Sequence, residues 1–84
     1  MPMSDATRPA NPLEARAVVM VVETLTSEAL KMSLSTPKGK RGAEMLAIHA
    51  TVPDQLVAHG VEPGRALELA KGIWVKVEVA DDEN

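Results

Sequence analysis

Apolar residues fall at every second position in two stretches of this chain, at 30, 32 and 34 and again at 46, 48 and 50. The first is residues 30–35, LKMSLS, and the second is residues 45–50, MLAIHA. A period of two puts alternate side chains on opposite faces of an extended backbone, which is the pattern of a half-buried strand. Both stretches are therefore predicted as β-strands, joined by a loop.

The apolar residues at 18–22, VVMVV, run without alternation. β-Branched side chains lose rotamer freedom on a helix, so the run favours a strand that is buried on both faces. This would be the first strand of the fold, within Glu14 to Leu25. A helix from Leu13 to Met20 is the alternative.

Residues 53–60 have the features of a short helix instead. Pro53 suits a first helical position, and Asp54 favours the positive end of a helix dipole. Gly60 suits the left-handed residue that follows a helix end. The chain is predicted to return to strands at 65–69 and 73–79. A three-residue loop at 70–72 would place both of these strands on one core.

Three strands, a short helix and two further strands predict a mainly β protein, a small five-stranded OB-like barrel. From Ala15 to Val79 the chain resembles OB-fold modules of the single-strand-binding type, through RAVVMVVETL, LKMSLSTPKGKRGAEMLAIHA, PDQLVAH and VEPGRALELAKGIWVKVEV. The resemblance implies a groove across the middle strands, flanked by loops at 36–42 and 70–72. Such modules stack bases on several aromatic side chains. Here Trp74 is the only aromatic residue among Phe, Tyr and Trp.

The predicted domain organisation is a disordered tail at 1–13, a single barrel at 14–80 and an acidic tail at 81–84. The chain has nine Lys and Arg against twelve Asp and Glu. Three of those acids lie at 81–83, so the rest of the chain is balanced and attraction to a polyanion must be local. A domain this small buries only about 60% of its unfolded surface. A homodimer or another partner that covers apolar surface is therefore expected.

Composition argues against several classes of function. There is no cysteine, which excludes disulfides and thiolate metal sites. His49 and His59 are isolated from other ligands, and no nucleophile or phosphate-loop motif is present. We therefore expect a protein without catalytic residues, metal or cofactor. No apolar run reaches the 18 residues of a spanning helix, so a cytoplasmic protein without a membrane partner is expected.

Positive charge is concentrated in STPKGKRGAE, which holds Lys38, Lys40 and Arg41. In the predicted barrel this is a hairpin tip that could neutralise phosphates. Trp74 would lie on the outer face and stack one base. The remaining predicted groove residues are Lys31 and Lys76.

The predicted function is weak or complex-assisted binding of single-stranded nucleic acid by a non-enzymatic module. The alternative is a protein–protein adaptor or inhibitor of the type that phage and plasmid genomes carry. In that case Trp74 and the sheet surface would form the contact.

Overall fold

A computed structural model describes residues 5–77, and this part of the chain is helical. Its four α-helices are α1 (Pro12–Ser35), α2 (Arg41–His49), α3 (Val52–Ala58) and α4 (Pro63–Ala70). Single 3₁₀ turns occupy Asp5–Thr7 and Lys38–Lys40. Between residues 5 and 77 there is no β-strand.

The first turn of α1 is set by three nearby residues. The side chain of Asn11 accepts a hydrogen bond from the backbone N–H of Glu14 at 2.9 Å, which caps the helix. Pro12 occupies the first helical position, where a backbone N–H would have no partner within the helix. The negative carboxylate of Glu14 in the first turn also interacts favourably with the positive amino end of the helix dipole. A helix therefore begins at Pro12.

One face of α1 is buried along most of its length. Its buried residues after the first turn are spaced by four: Ala17, Val21, Leu25, Ala29 and Ser33. With 3.6 residues per turn, this spacing keeps the side chains on one face of the helix. That face packs against α2 and α3. Tertiary packing thus stabilises α1, although its β-branched residues have a low intrinsic preference for a helix.

The helices α3 and α4 form a helix–turn–helix unit around Gly60. This glycine has φ +98°. Its N–H donates to the carbonyl of Val57, and the N–H of Val61 donates to the carbonyl of Leu56, both at 3.0 Å. These two bonds are the Schellman arrangement, which closes a helix end. Val61 and Leu56 are both buried, so the apolar contact that accompanies this cap is present.

The core lies where α1, α3 and α4 meet. Leu25, Leu56 and Leu69 are completely buried there, one from each helix. Ile73 joins the same cluster from the segment after α4, and Ile48 of α2 packs partly against it. Every large fully buried side chain among the described residues is aliphatic, so methyl groups do the packing that aromatic rings do in many small domains.

The predicted five-stranded OB-like barrel is wrong. Its first two strands lie within α1, and its third lies in α2. The alternation at 30–35 does not correspond to burial, because Leu30 and Leu34 are exposed while Ser33 is buried. The four-residue spacing of small and aliphatic residues along α1 outweighs that alternation. The alternative helix at Leu13–Met20 is confirmed, and it continues to Ser35.

In the second half of the chain one prediction is confirmed and two are wrong. The short helix before Gly60 is present as α3, and Gly60 is left-handed as expected. The predicted strand at 65–69 is instead part of α4. Glu62 caps this helix by accepting the N–H of Arg65 at 3.1 Å. The predicted hairpin loop at 70–72 is the end of the same helix, where Gly72 N–H donates to the carbonyl of Leu69.

Residues 73–77 follow α4 without helix or strand. Burial along them alternates, from buried Ile73 through exposed Trp74 to half-buried Val75. The last two residues of the predicted strand at 73–79, and the predicted acidic tail at 81–84, lie outside the described residues. The segment 5–13, predicted to belong to the N-terminal tail, holds the first 3₁₀ turn and the cap of α1.

Candidate functional site

An apolar groove of about 440 Å³ lies beside the amino-terminal half of α1. It is lined by Pro12, Leu13, Arg16, Ala17, Met20 and His59. Leu13 and Met20 are 52% and 44% exposed, although both are large apolar residues. Ala17 between them is buried, so it forms a shallow floor. The groove therefore presents two leucine-sized side chains to solvent on either side of a small one.

Helical spacing explains why these side chains meet. Leu13, Ala17 and Met20 stand at positions i, i+4 and i+7 of α1, which share one side of a helix. His59 comes from the carboxyl end of α3. Leu13 lies over the α3–α4 turn, since a Cβ on Gly60 would be 3.8 Å from its Cδ1 atom. The groove is thus formed between α1 and the end of α3.

The groove has two basic side chains and no acidic one. Arg16 is exposed and makes no hydrogen bond or ion pair with any residue between 5 and 77. The imidazole of His59 is the other basic group. Arg16 therefore makes the charge at this groove positive, and a complementary ligand would carry carboxylates next to apolar groups.

An ion pair fixes the amino end of α1 against α4. Arg65 Nε and Nη2 donate to the two carboxylate oxygens of Glu14, each at 3.0 Å. The hydrogen bond from Arg65 lowers the pKa of Glu14, and the backbone N–H of Ala10 lowers it further, while desolvation acts in the opposite direction. The pKa of Arg65 is raised, first by the same hydrogen bond. The guanidinium also donates to the carbonyls of Ala6 and Arg8, so it joins three segments.

The predicted basic cluster stays together, but in a different setting. Lys38 and Lys40 are exposed in the 3₁₀ turn between α1 and α2, and Arg41 is the first residue of α2. Arg41 Nε donates to the carbonyl of Thr36 at 3.0 Å, which anchors part of the cluster to the end of α1. Lys31 is exposed on the last turns of α1.

Trp74 lies at the opposite end of α2 from the basic cluster. Its ring stacks on His49, the last residue of α2, with ring centroids 3.8 Å apart and an angle of 18°. Eight residues separate Arg41 from His49, which is a rise of about 12 Å along the helix. Lys76 is exposed two residues after Trp74. The residues predicted to form one nucleic-acid surface are therefore divided between two ends of a helix.

The helix–turn–helix unit exposes few of the side chains that read duplex DNA. The residues that α4 and its carboxyl end expose to solvent include Gly64, Leu67 and Lys71. Lys71 pairs with Glu68 at 3.6 Å. Base edges are read chiefly by Arg, Lys, Asn and Gln, and binding depends on positive charge. Residues 52–72 carry three acids against Arg65 and Lys71, so this unit does not have that charge.

Residues 5–77 contain no group of three or more His, Cys, Asp or Glu that could hold a metal ion. None of the helices in this range combines the length and the apolarity needed to cross a membrane.

Sequence reasoning missed the groove residues Leu13, Arg16 and Met20. The alternative helix at Leu13–Met20 contains all three, but no role in a site was predicted for any of them. The signal that finds them is the spacing 13, 16, 17 and 20 after an Asn-Pro cap, which indicates one side of a helix. His59 was placed correctly near a helix end, but its neighbours on α1 were not foreseen.

Fold and groove together define an all-helical domain with a small, basic-edged apolar groove. No protein-family model, no curated protein and no solved structure matches this chain. A function must therefore be inferred from the geometry of the described residues.

Proposed function

We propose that this protein is a non-enzymatic protein-binding module that receives an amphipathic, acidic helix of a partner in the groove between α1 and α3. The single observation that carries the proposal is the pair of exposed side chains, Leu13 and Met20, beside Arg16, which has no ion-pair partner between residues 5 and 77. The lack of cysteine supports a cytoplasmic setting for this interaction.

The apolar part of the groove favours a helix as its occupant. Leu13 and Met20 lie seven residues apart on α1, a distance of about 10 Å. A partner helix presents apolar side chains with the same period, so two of its turns can contact both residues at once. Methionine adapts its shape to different side chains, which suits a surface that binds an apolar stripe.

The charged part of the groove favours acidic flanks on that helix. Arg16 is on the same side of α1 as the apolar pair, and His59 faces the groove from α3. Carboxylates of the partner would pair with them at the rim, where charge contributes more to specificity and association rate than to affinity. A basic helix would be disfavoured at the same position.

The proposal is tested with synthetic helical peptides of about 16 residues, which carry leucine at i, i+4 and i+7 and either glutamate or lysine beside them. Binding is measured by fluorescence anisotropy. We expect the glutamate peptides to bind the native chain and a Val19→Lys variant alike, and to bind Met20→Lys at least about tenfold more weakly. Val19 is the matched control, because it is 55% exposed on the same helix but does not line the groove.

Two results would refute the proposal. Equal binding of the peptides to Met20→Lys and Val19→Lys would show that the groove is not the contact. Equal binding of glutamate and lysine peptides would remove the role given to Arg16.

Single-stranded nucleic acid remains a second candidate because Lys38 and Lys40 are exposed side by side. A labelled oligothymidine in the same assay tests it at low salt. Binding that is lost in a Lys38→Ala/Lys40→Ala variant, and kept in Met20→Lys, would favour this second function over the first.

A further inference from the structure

Residues 73–77, IWVKV, have the composition of a strand without a strand beside them. Isoleucine, valine and tryptophan are enriched in β-strands. Side-chain burial alternates along the segment, with residues 73, 75 and 77 towards the helices and residues 74 and 76 towards solvent. Between residues 5 and 77 no other segment pairs with it, since no strand is present there.

Hydrogen bonds show which edge of this segment is occupied. The N–H of Ile73 donates to the carbonyl of Ala70 at 3.1 Å, and the N–H of Val75 donates to Nε2 of His49 at 3.0 Å. In an extended chain, alternate residues direct their N–H and C=O groups to opposite edges. The two-residue period of burial is that of an extended backbone, and on such a backbone the bond to His49 places the N–H of Val75 on the edge that faces its own chain. The N–H groups of Trp74 and Lys76 form the other edge, and neither donates to a residue in the described part of the chain.

We propose that this free edge is a homodimerisation site, where residues 73–77 of two copies pair as an antiparallel ribbon centred on Val75. In this register Trp74 of one copy and Lys76 of the other exchange N–H···O=C bonds on each side of the centre. Val75 faces Val75 of the second copy as the pair without hydrogen bonds, which agrees with its N–H being held by His49.

The side chains of this register complement one another. Ile73 of one copy lies across from Val77 of the other, so one face is apolar throughout. On the other face Trp74 lies across from Lys76, which allows a cation–π contact at each end. Moving the centre to Lys76 would place two lysines opposite each other, which is unfavourable.

The helices support each strand of the ribbon from one side. An isolated two-stranded ribbon is marginally stable in water, but packing of one face against a helix layer stabilises it. Here Ile73 is buried, and Val75 and Val77 are half-buried. The site is formed by the segment after α4 and does not depend on the groove between α1 and α3.

The register can be tested by crosslinking because the chain has no cysteine of its own. Two facing residues in a pair without hydrogen bonds have Cα atoms about 4.5 Å apart, which is within disulfide range. We expect Val75→Cys to form a reducible crosslinked dimer under mild oxidation. Val77→Cys is the matched control on the same face. Its two copies would be four residues out of register, roughly 13 Å apart, and should remain uncrosslinked.

The unmodified protein provides an independent measurement. Sedimentation of the native chain should show a monomer–dimer equilibrium, and Lys76→Pro should shift it towards monomer because proline removes one donor from the free edge. Crosslinking of both cysteine variants to the same extent, or of Val77→Cys alone, would overturn the proposed register. The dimer itself would be overturned if the native chain sediments as a monomer at all concentrations up to about 1 mM. That concentration corresponds to a binding free energy of about 4 kcal/mol.

Discussion

The left-handed conformation of Gly60 predicts that the same substitution has opposite effects at two glycines. Gly60 has φ +98°, where a side chain on an L-residue is strained by about 1–2 kcal/mol. A Cβ there would meet nothing closer than Leu13 at 3.8 Å, so the cost comes from the backbone and not from a clash. Gly42 lies in the first turn of α2 with nothing within 4 Å of its Cβ position. Alanine at Gly42 should stabilise the fold by about 0.4–1 kcal/mol.

These energies correspond to measurable changes in melting temperature. For a domain of this size, 1 kcal/mol shifts the midpoint by about 4–8 °C. Gly60→Ala should therefore lower Tm by roughly 4–16 °C, and Gly42→Ala should raise it by roughly 2–8 °C. Circular dichroism at 222 nm follows both transitions, because the described part of the chain is helical. Gly60→Asn should fall between the native chain and Gly60→Ala, since asparagine tolerates the left-handed region better.

The same pair of variants tests the structure around each glycine. If Gly60→Ala melts at or above the native temperature, the chain after α3 does not turn through a left-handed residue, and the position of Leu13 above that turn is wrong as well. A loss of stability in Gly42→Ala would instead contradict the start of α2 at Arg41.

Two further outcomes concern the attachment of the amino-terminal segment. A Cβ on Gly72 would lie 2.9 Å from both the Cβ and the carbonyl oxygen of Thr7, so Gly72→Ala should displace the first 3₁₀ turn and speed hydrogen exchange there. Gly39→Ala, with open space around it, is the control. The lowered pKa of Glu14 means that its ion pair stabilises the fold above the ordinary carboxyl pKa and is lost as the pH falls through the lowered value. In the native chain the midpoint of urea unfolding should therefore fall at acid pH, and Glu14→Gln should make this fall smaller. Glu23→Gln is the control, because it removes a carboxylate from the exposed side of α1.

The sequence predicts the second half of this fold better than the first. Pro53, Asp54 and Gly60 act locally, through the backbone and the helix dipole, so α3 could be placed without knowing its neighbours. α1 depends on tertiary packing, because Val21 and Leu25 are buried only within the cluster that they form with residues of the other helices. The propensity of VVMVV for strands is weaker than the burial that this face gains in a helix.

The candidate site residues also divide into those that local sequence predicts and those that depend on tertiary packing. The basic cluster at 38–41 is contiguous in sequence, so any fold keeps it together, and its prediction needed no tertiary structure. The groove joins α1 to His59 over more than 40 residues of chain, and the contact of Trp74 with His49 spans 25 residues. Such contacts depend on how the helices cross, which the alternation of residue types does not record.

The burial of side chains shows why one alternating stretch is a helix and another can serve as a strand. At 30–35 the apolar residues alternate in the sequence, yet burial there follows the four-residue spacing of Ala29 and Ser33. At 73–77 the alternation in sequence and the alternation in burial coincide. The difference has a structural cause. Residues 30–35 continue a helix that was capped at Asn11, whereas the N–H groups of Gly72 and Ile73 close the end of α4 and release the chain from helical bonding. After that point the N–H of Val75 donates to His49, whereas the N–H groups of Trp74 and Lys76 donate to no residue between 5 and 77.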